Sequence, residues 1–166
     1  MIKIPERNTD EGRETRVFMA ECRDPEASDY DLSDAKTCMQ WMDLVLWNRV
    51  HHHPKRFMAK HATLLGVLTA PGQFAKFEHY PNYSAELVHR LQKMIDIANN
   101  PKDKRSSEYA DYIQAAMEVA GAPTLHDPSP GLLTGWVTSG TRSPGPNFTL
   151  YDTSGGNDFY YVDKDD

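Results

Sequence analysis

Apolar side chains recur every three or four residues along the stretch from about Ser33 to His51. Their spacing predicts a helix that is capped by Ser33 or Asp34 and ends before Pro54. The recurring positions are Ala35, Cys38, Met39, Met42, Val45 and Leu46. The opposite side of this helix carries Trp41, Leu44 and Trp47. Because both sides are apolar, we expect this helix to lie at the centre of the fold, surrounded by its neighbours.

Four other segments before residue 122 carry a helical pattern. Helices are predicted at residues 11–22, 59–68 and 106–120, and from Ser84 to the Asn99-Asn100-Pro101 sequence. Gly121 is the expected C-cap of the last of these helices. Residues 1–10 are polar and form a lead-in, in which Thr9 or Asp10 can cap the first helix.

The residues after Ala122 differ in composition, since they contain five of the eleven prolines and six of the ten glycines. That density excludes a helix and favours short strands joined by turns. The candidate strands are residues 136–137, 148–151 and 158–162, which could form a small β-hairpin region. We therefore expect one mainly helical α+β domain over residues 1–166, with residues 122–166 packed as a tail on the helices.

The overall composition is that of an ordinary globular protein, with 39% hydrophobic and 25% charged residues in a chain of 166. The formal net charge of -6 argues against a nucleic-acid-binding protein, because such proteins normally carry a basic excess. No stretch approaches the roughly 18 apolar residues of a membrane span. The first residues also lack the apolar core of a signal peptide, so we expect the protein to be made in the cytoplasm.

Neither the cysteines nor the histidines form a pattern that is typical of a metal site. Cys22 and Cys38 lack metal-type spacing and are expected to be two small buried residues, with one disulfide as the alternative. The three histidines His51-His52-His53 point in different directions at a helix end, which favours a solvated or helix-capping cluster over zinc. We predict no metal and no cofactor.

Glu21 is the most informative candidate for chemistry. It follows Val17 by four positions and Phe18 by three, so it lies on the apolar stripe of the first predicted helix. A carboxyl group in that position is desolvated, and its raised pKa lets it hold a proton near neutral pH, as a general acid for glycosidic cleavage must. The alternative is a side chain that turns to solvent or pairs with Arg16 or Arg23.

Four short segments, in their order along the chain, resemble motifs of the SleB-type cell-wall hydrolase family, the spore-cortex-lytic enzymes and their relatives. They are Ala20-Glu21-Cys22-Arg23, Leu46-Trp47-Asn48-Arg49-Val50, Pro71-Gly72-Gln73-Phe74 and Gly156-Asn157-Asp158-Phe159-Tyr160. The resemblance covers roughly residues 17–162. It implies a goose-lysozyme-like, mainly helical fold that cleaves peptidoglycan between N-acetylmuramic acid and N-acetylglucosamine.

The resemblance also implies roles for individual residues. Glu21 would protonate the leaving glycosidic oxygen and would then take the proton of the muramic acid 6-hydroxyl as a 1,6-anhydro ring closes. The residues that would contact substrate are Gln73, Phe74, Asn48 and Tyr160. A structural hydrogen bond is the alternative for the two amides, and core packing is the alternative for the tyrosine.

Three features depart from the family pattern. Residues 24–34 look like an inserted loop, the second glutamate of a Gly-Glu pair is missing, and Asp158 stands where histidine is common. A muramidase, unlike a lytic transglycosylase, needs a second carboxylate to place water or trap the sugar. The inserted loop offers four candidates for it, Asp24, Glu26, Asp29 and Asp31. Both reactions therefore stay open.

Two rival functions also stay open. One is a cell-wall peptide amidase with Cys22 as nucleophile and His79 or His126 as base, which ranks lower because the sequence lacks the local context of such enzymes. The other is a non-catalytic binding module of the same fold. A wall-cleaving enzyme without a signal peptide would reach the periplasm as a secreted antibacterial effector or a phage lysis enzyme. An effector's producer would need a periplasmic immunity protein as its partner.

Overall fold

The computed structural model describes residues 1–165 and contains, within that range, five α-helices followed by a three-stranded antiparallel sheet. The helices are α1 (Asp10–Glu21), α2 (Leu32–His51), α3 (Leu64–Leu68), α4 (Ala85–Ala98) and α5 (Ser106–Gly121). The strands are β1 (Leu132–Thr138), β2 (Thr149–Ser154) and β3 (Asn157–Val162). The predicted combination of helix and sheet is confirmed. Asp166, the last residue of the predicted tail, lies outside the described residues.

Helix α2 packs against neighbours on several sides, as its two-sided apolar pattern predicts. It contacts α1, α3, α5 and the strands β1 and β2, and Met39, Met42 and Leu46 are fully buried. The helix begins earlier than expected, because the Asp31 carboxylate accepts a hydrogen bond from the backbone N–H of Asp34 at 2.9 Å. The prediction of Ser33 or Asp34 as N-cap is therefore wrong.

The other helices follow their predicted positions, except for α3. The Thr9 hydroxyl caps α1 and the Ser84 hydroxyl caps α4, each by accepting a backbone N–H. Residues 59–63 are not helical, because Thr63 caps the short helix α3 by accepting the N–H of Gly66 at 3.0 Å. Gly121 is the last residue of α5 and Ala122 follows as the C-cap, so the predicted cap is displaced by one residue.

The three strands pair in the order β1-β3-β2, so β3 is the central strand and pairs with both of its neighbours. Strands β2 and β3 form a hairpin that turns through Gly155 and Gly156, both with positive φ. A side chain at Gly155 would place its Cβ 2.5 Å from the Cβ of Cys38, so the close approach of this turn to α2 requires glycine.

The sheet is attached to α2 through polar contacts as well as apolar ones. Asn48 Nδ2 donates to the carbonyl of Leu133 at 2.9 Å, and Arg49 Nε donates to the carbonyl of Thr134 at 2.7 Å. Leu133 and Phe159 belong to the same buried apolar cluster as the helices. Within residues 1–165, no helix combines the length and the apolar character needed to cross a membrane.

Candidate active site

Glu21 is the last residue of α1, and the backbone around it is held from two sides. Its carbonyl accepts a hydrogen bond from Asn157 Nδ2, at the start of β3, at 2.9 Å. The preceding carbonyl, that of Ala20, accepts a bond from Nη1 of Arg90 in α4 at 3.2 Å. The end of α1 is therefore fixed relative to both the sheet and α4, while the Glu21 side chain keeps 20% of its surface exposed.

The environment of the Glu21 carboxyl group raises its pKa. Burial is the main cause, and the positive charges of Lys76 and Arg90 oppose the shift without reversing it. Lys76 Nζ lies 3.7 Å from Oε2 of Glu21. The side chain is therefore neither free in solvent nor paired with the arginines considered from the sequence. It is a partly buried acid with one lysine beside it.

Those two arginines are engaged elsewhere. Arg23 forms an ion pair with Asp29 at 2.6 Å, and Arg16 donates to the carbonyls of Pro5 and Gly12. Neither is among the groups that shift the pKa of Glu21.

Gln73 and Phe74 both contact the guanidinium of Arg49, which reaches them from α2. Gln73 Oε1 accepts a hydrogen bond from Arg49 Nη1 at 3.1 Å. The Arg49 Cζ atom lies 4.8 Å from the ring centroid of Phe74 and 4.0 Å from that of Phe57. The two predicted substrate contacts therefore lie together, and Lys76, three residues after Gln73, links the same segment to Glu21.

An open groove lies above Arg49 and has aromatic walls. Gln73, Trp136 and Phe148 border it, and the ring of Phe74 lies 5.0 Å from that of Trp136. Trp136 faces Phe159 across the β1–β3 pairing, which fixes its position on the side of the sheet that meets α2. Aromatic faces beside polar groups are the usual composition of a small-molecule or sugar site.

Asn48 and Tyr160 occupy mainly internal positions. The Asn48 amide donates to Asp127 Oδ2 and to the Leu133 carbonyl, both at 2.9 Å, so its hydrogen-bond donors connect α2 to the segment around β1. Tyr160 is buried in β3 between Gly135 and Leu150 of the neighbouring strands. These contacts favour the structural alternative for both residues, and a role in substrate binding stays a prediction.

Three of the four candidate carboxylates in the loop at residues 24–34 form ion pairs or hydrogen bonds within the protein. Asp24 is buried, pairs with Arg90 at 3.2 Å and accepts the backbone N–H of Glu26. Asp29 pairs with Arg23, and Asp31 caps α2. Glu26 is exposed and offers no contact that would fix a catalytic position.

Asp158 also has an internal role. Its carboxylate accepts hydrogen bonds from the hydroxyls of Thr153 at 2.6 Å and Ser139 at 3.1 Å, and from the backbone of Gly140. These bonds lower its pKa, so the carboxylate is charged and joins the ends of all three strands.

Cys22 and Cys38 are both free and buried, as the preferred interpretation of the sequence expects. Their Sγ atoms face each other at 2.7 Å, and Cys22 is 1% exposed. Burial raises the pKa of the Cys22 thiol well above its usual range. A cysteine nucleophile needs an accessible thiolate, so these properties argue against the amidase alternative.

A second acidic residue of α1, Glu14, was not identified from the sequence. It is 2% exposed, lies beside the buried Asp43 of α2, and accepts a hydrogen bond from Trp47 Nε1 at 3.0 Å. The sequence carried a signal for Glu14, because this residue lies seven positions before Glu21 on the same stripe.

Arg49 was also not identified from the sequence as a residue of the site, although it follows Met42 by seven residues on the buried side of α2.

The three consecutive histidines do not converge. His51 stacks on Trp47 with ring centroids 5.9 Å apart, whereas His53 packs edge-on against Phe57 at 6.1 Å. In the part of the chain that the structure describes, His, Cys, Asp and Glu side chains nowhere gather in a group of three or more that could hold a metal ion.

Comparison with known proteins adds no relative to this description. No family model, no curated protein and no solved structure matches the chain. The resemblance to SleB-type hydrolases therefore stays a prediction that depends on four short motifs.

Proposed function

We propose that this protein cleaves the glycan strands of peptidoglycan, in a lysozyme-like fold, with Glu21 as the only catalytic acid and base. The observation that carries the proposal is the setting of Glu21. Its carboxyl group is partly buried with a raised pKa, and the segment that follows the Pro71-Gly72 turn links it to an aromatic-walled groove. The four motifs that resemble SleB-type hydrolases name the substrate.

The first step requires a proton on Glu21. Burial favours the neutral carboxylic acid, which donates its proton to the glycosidic oxygen between N-acetylmuramic acid and N-acetylglucosamine as that bond breaks. The resulting Glu21 carboxylate then accepts the proton of the muramic acid 6-hydroxyl, whose oxygen bonds to C1 and closes the 1,6-anhydro ring. The proton returns to Glu21, so the enzyme is regenerated without water.

The engagement of the nearby carboxylates favours this lytic transglycosylase reaction over hydrolysis. A hydrolase needs a second carboxylate at about 5–10 Å from the acid to activate water or to trap the sugar. Asp24 and Asp29 are paired with arginines, Asp31 caps α2, and Glu26 is exposed with no contact that would fix it in a catalytic position. In the transglycosylase reaction the substrate supplies the nucleophile, so no further carboxylate is needed.

The Glu21→Gln substitution tests the proposal directly. Glutamine keeps the shape but cannot donate a carboxyl proton, so lysis of purified sacculi should fall by about 10² to 10⁴-fold. Glu86→Gln, at an exposed position in the first turn of α4, is the matched control and should leave lysis unchanged. Wild-type protein that binds sacculi without releasing fragments would support the non-catalytic binding module instead.

Mass spectrometry of the released fragments identifies the reaction. Anhydromuramic ends are expected from the transglycosylase. Reducing ends would instead assign a muramidase, and peptide fragments with intact glycan would overturn glycan cleavage altogether.

The compartment of action is a separate part of the proposal. We propose that the protein acts on the periplasmic side of the wall after delivery as an antibacterial effector or a phage lysis enzyme. Expression in a Gram-negative host with an added signal peptide should cause lysis, whereas expression without it should not. If the protein is an effector, a periplasmic immunity protein from the producer should suppress that lysis, and no suppression by any producer gene would contradict the effector route.

A further inference from the structure

Arg49 is a buried cation whose contacts, among the residues that the structure describes, are with neutral groups. The residue is 6% exposed, and its guanidinium donates to the Thr134 carbonyl at 2.7 Å and to Gln73 Oε1 at 3.1 Å. The rings of Phe57 and Phe74 cover its faces, with their centroids 4.0 and 4.8 Å from Cζ. None of these four partners carries a negative charge, and among residues 1–165 no carboxylate forms an ion pair with Arg49.

A buried cation that lacks a carboxylate partner favours the binding of an anion. Removing a cation from water costs free energy that a carboxylate partner usually offsets, and cation–π contacts offset only part of it. Burial lowers the pKa of Arg49 to about 9, so the guanidinium is still positively charged at neutral pH. A planar guanidinium presents several N–H donors, and a carboxylate is the group that matches them best.

The groove above Arg49 gives a carboxylate access to the guanidinium. Arg49 lines this groove together with Trp136 and Phe148, so a positive charge and two aromatic rings border the same space. The guanidinium donates through Nε and Nη1, and Nη2 donates to none of the described residues. A Cβ added at Gly135 would lie 3.9 Å from that atom, so a methyl group at this position would stand beside Nη2.

We propose that this groove is a carboxylate-binding subsite, in which Arg49 Nη2 donates to a carboxylate oxygen of the substrate while Trp136 and Phe148 contact the apolar part beside it. The inference rests on the proposed function, because it assigns the carboxylate to peptidoglycan. That polymer offers two sources with the same chemistry. One is the lactyl carboxylate of a muramic acid that has lost its peptide, and the other is a carboxylate of the stem peptide.

Titrations with three small ligands test the subsite and separate the two sources. The indole N–H signal of Trp136 is followed by NMR while N-acetylmuramic acid, N-acetylglucosamine or muramyl dipeptide is added. N-acetylmuramic acid should bind at least about tenfold more tightly than N-acetylglucosamine, which lacks the carboxylate. A muramyl dipeptide that binds more tightly still would assign the stem peptide as the source. Equal affinity for the two sugars, or no response to any of the three ligands, would overturn the subsite.

Two substitutions identify the atoms involved. Arg49→Lys retains a charge but loses the forked donors, and it also removes a bond to Thr134 or Gln73, so its thermal stability must be measured alongside binding. Gly135→Ala is the gentler variant, since its Cβ would make only ordinary contacts with Phe148, Pro144 and Arg49 at 3.6 to 3.9 Å. Each variant should weaken N-acetylmuramic acid binding by about fivefold or more.

Gly121→Ala, at the end of α5, is the matched glycine control, because its Cβ would meet only the Glu11 side chain at 3.6 Å or more. It should bind N-acetylmuramic acid as the wild type does. Unchanged binding in a folded Gly135→Ala variant and in Arg49→Lys would contradict the assignment. Lysis of sacculi is measured in parallel on the wild type. If the protein lyses sacculi but binds the two sugars equally, only the subsite is contradicted. If it prefers N-acetylmuramic acid to N-acetylglucosamine but does not lyse sacculi, only the Glu21 chemistry is contradicted.

Discussion

Glu14 and Glu21 lie on one stripe of α1, and their surroundings give the two carboxyl groups different roles. Glu14 is enclosed by α1 and α2, and burial followed by the nearby Asp43 carboxyl group raises its pKa to about 10. Glu21 lies at the helix end, partly exposed, with Lys76 beside it. Desolvation raises the pKa of both acids, but only Glu21 has exposed surface through which a substrate can reach it.

At the residue scale, removing Lys76 should move the pH dependence of the reaction. Lys76 lowers the pKa of Glu21, so Lys76→Met should raise that pKa. Because the acid step needs protonated Glu21, the alkaline limb of the pH–rate profile should shift to higher pH. Lysis of sacculi, measured as a function of pH, checks this.

The matched control for that experiment is Lys104→Met, at an exposed position in the loop before α5. Its profile should coincide with that of the wild type. A Lys76→Met profile that moves to lower pH would contradict the role assigned to Glu21 as the acid, because the sign of the shift follows from the removed positive charge.

The Cys22 thiol gives a second prediction at this scale. Since Cys22 is buried and its pKa is raised, iodoacetamide should not modify it in the native protein at neutral pH. Modification should become rapid in denaturant. Mass spectrometry of peptides containing residue 22, taken with time, measures both rates. Fast alkylation of Cys22 in the folded protein, together with loss of lysis, would support the alternative of an amidase with Cys22 as its nucleophile.

At the scale of elements, the contact between α1 and α2 contains a pH-dependent component. The Glu14 pKa is raised from 4.5 to about 10, so between these values the folded state holds a proton that the unfolded state has lost. The free energy of unfolding must therefore fall as pH rises through this range. Glu14→Gln removes the titration and should flatten the decline by at least about 1 kcal/mol between pH 5 and pH 8.

Urea unfolding of the Glu14→Gln variant at several pH values measures this effect. Glu108→Gln, exposed in the first turn of α5, is the control and should keep the wild-type slope. If the wild type and both variants show the same change in the free energy of unfolding between pH 5 and pH 8, Glu14 does not hold an extra proton in the folded state.

The joint between α1 and β3 is a further element-scale feature, and Asn157 is its main polar contact. Its side chain is buried and donates to the Glu21 carbonyl at 2.9 Å. Asn157→Ala leaves that carbonyl without its donor, so it should reduce the free energy of unfolding by about 1–3 kcal/mol. Lysis should fall as well, because the end of α1 that carries Glu21 loses one of the hydrogen bonds that hold it in place. An unchanged free energy of unfolding in Asn157→Ala would show that this hydrogen bond does not stabilise the fold.

For the whole molecule, one buried cluster includes residues of the helices and of the sheet. Trp41 and Trp136 contact Phe159 of β3, and Trp47 donates to Glu14 of α1. Tryptophan fluorescence therefore follows the tertiary contacts of α2 with the sheet and with α1, whereas circular dichroism at 222 nm follows the helices. If the parts depend on each other as the shared core indicates, the two signals should have the same urea midpoint. A fluorescence transition at clearly lower urea would show that these tertiary contacts are lost before the helices unfold, which would contradict a single cooperative core.

Local sequence by itself determined most of the helices. Thr9 and Ser84 are capping residues that satisfy nearby backbone N–H groups, and apolar positions at a spacing of 3.6 mark the buried side of each helix. Glu21 could be placed on α1 for the same reason, because its neighbours on the stripe are only three and four residues away. The density of proline and glycine after Ala122 likewise indicated strands and turns.

Only the tertiary structure decided the partners of the site residues, because those partners lie far away along the chain. Arg49 meets Thr134, 85 residues later, and Gln73, 24 residues later. Lys76, rather than a nearby arginine, lies beside the Glu21 carboxylate. A periodic pattern specifies which side of a helix is buried but not what it is buried against, so the pKa of Glu21 and the neutral surroundings of Arg49 emerge only when helices, turn and sheet come together.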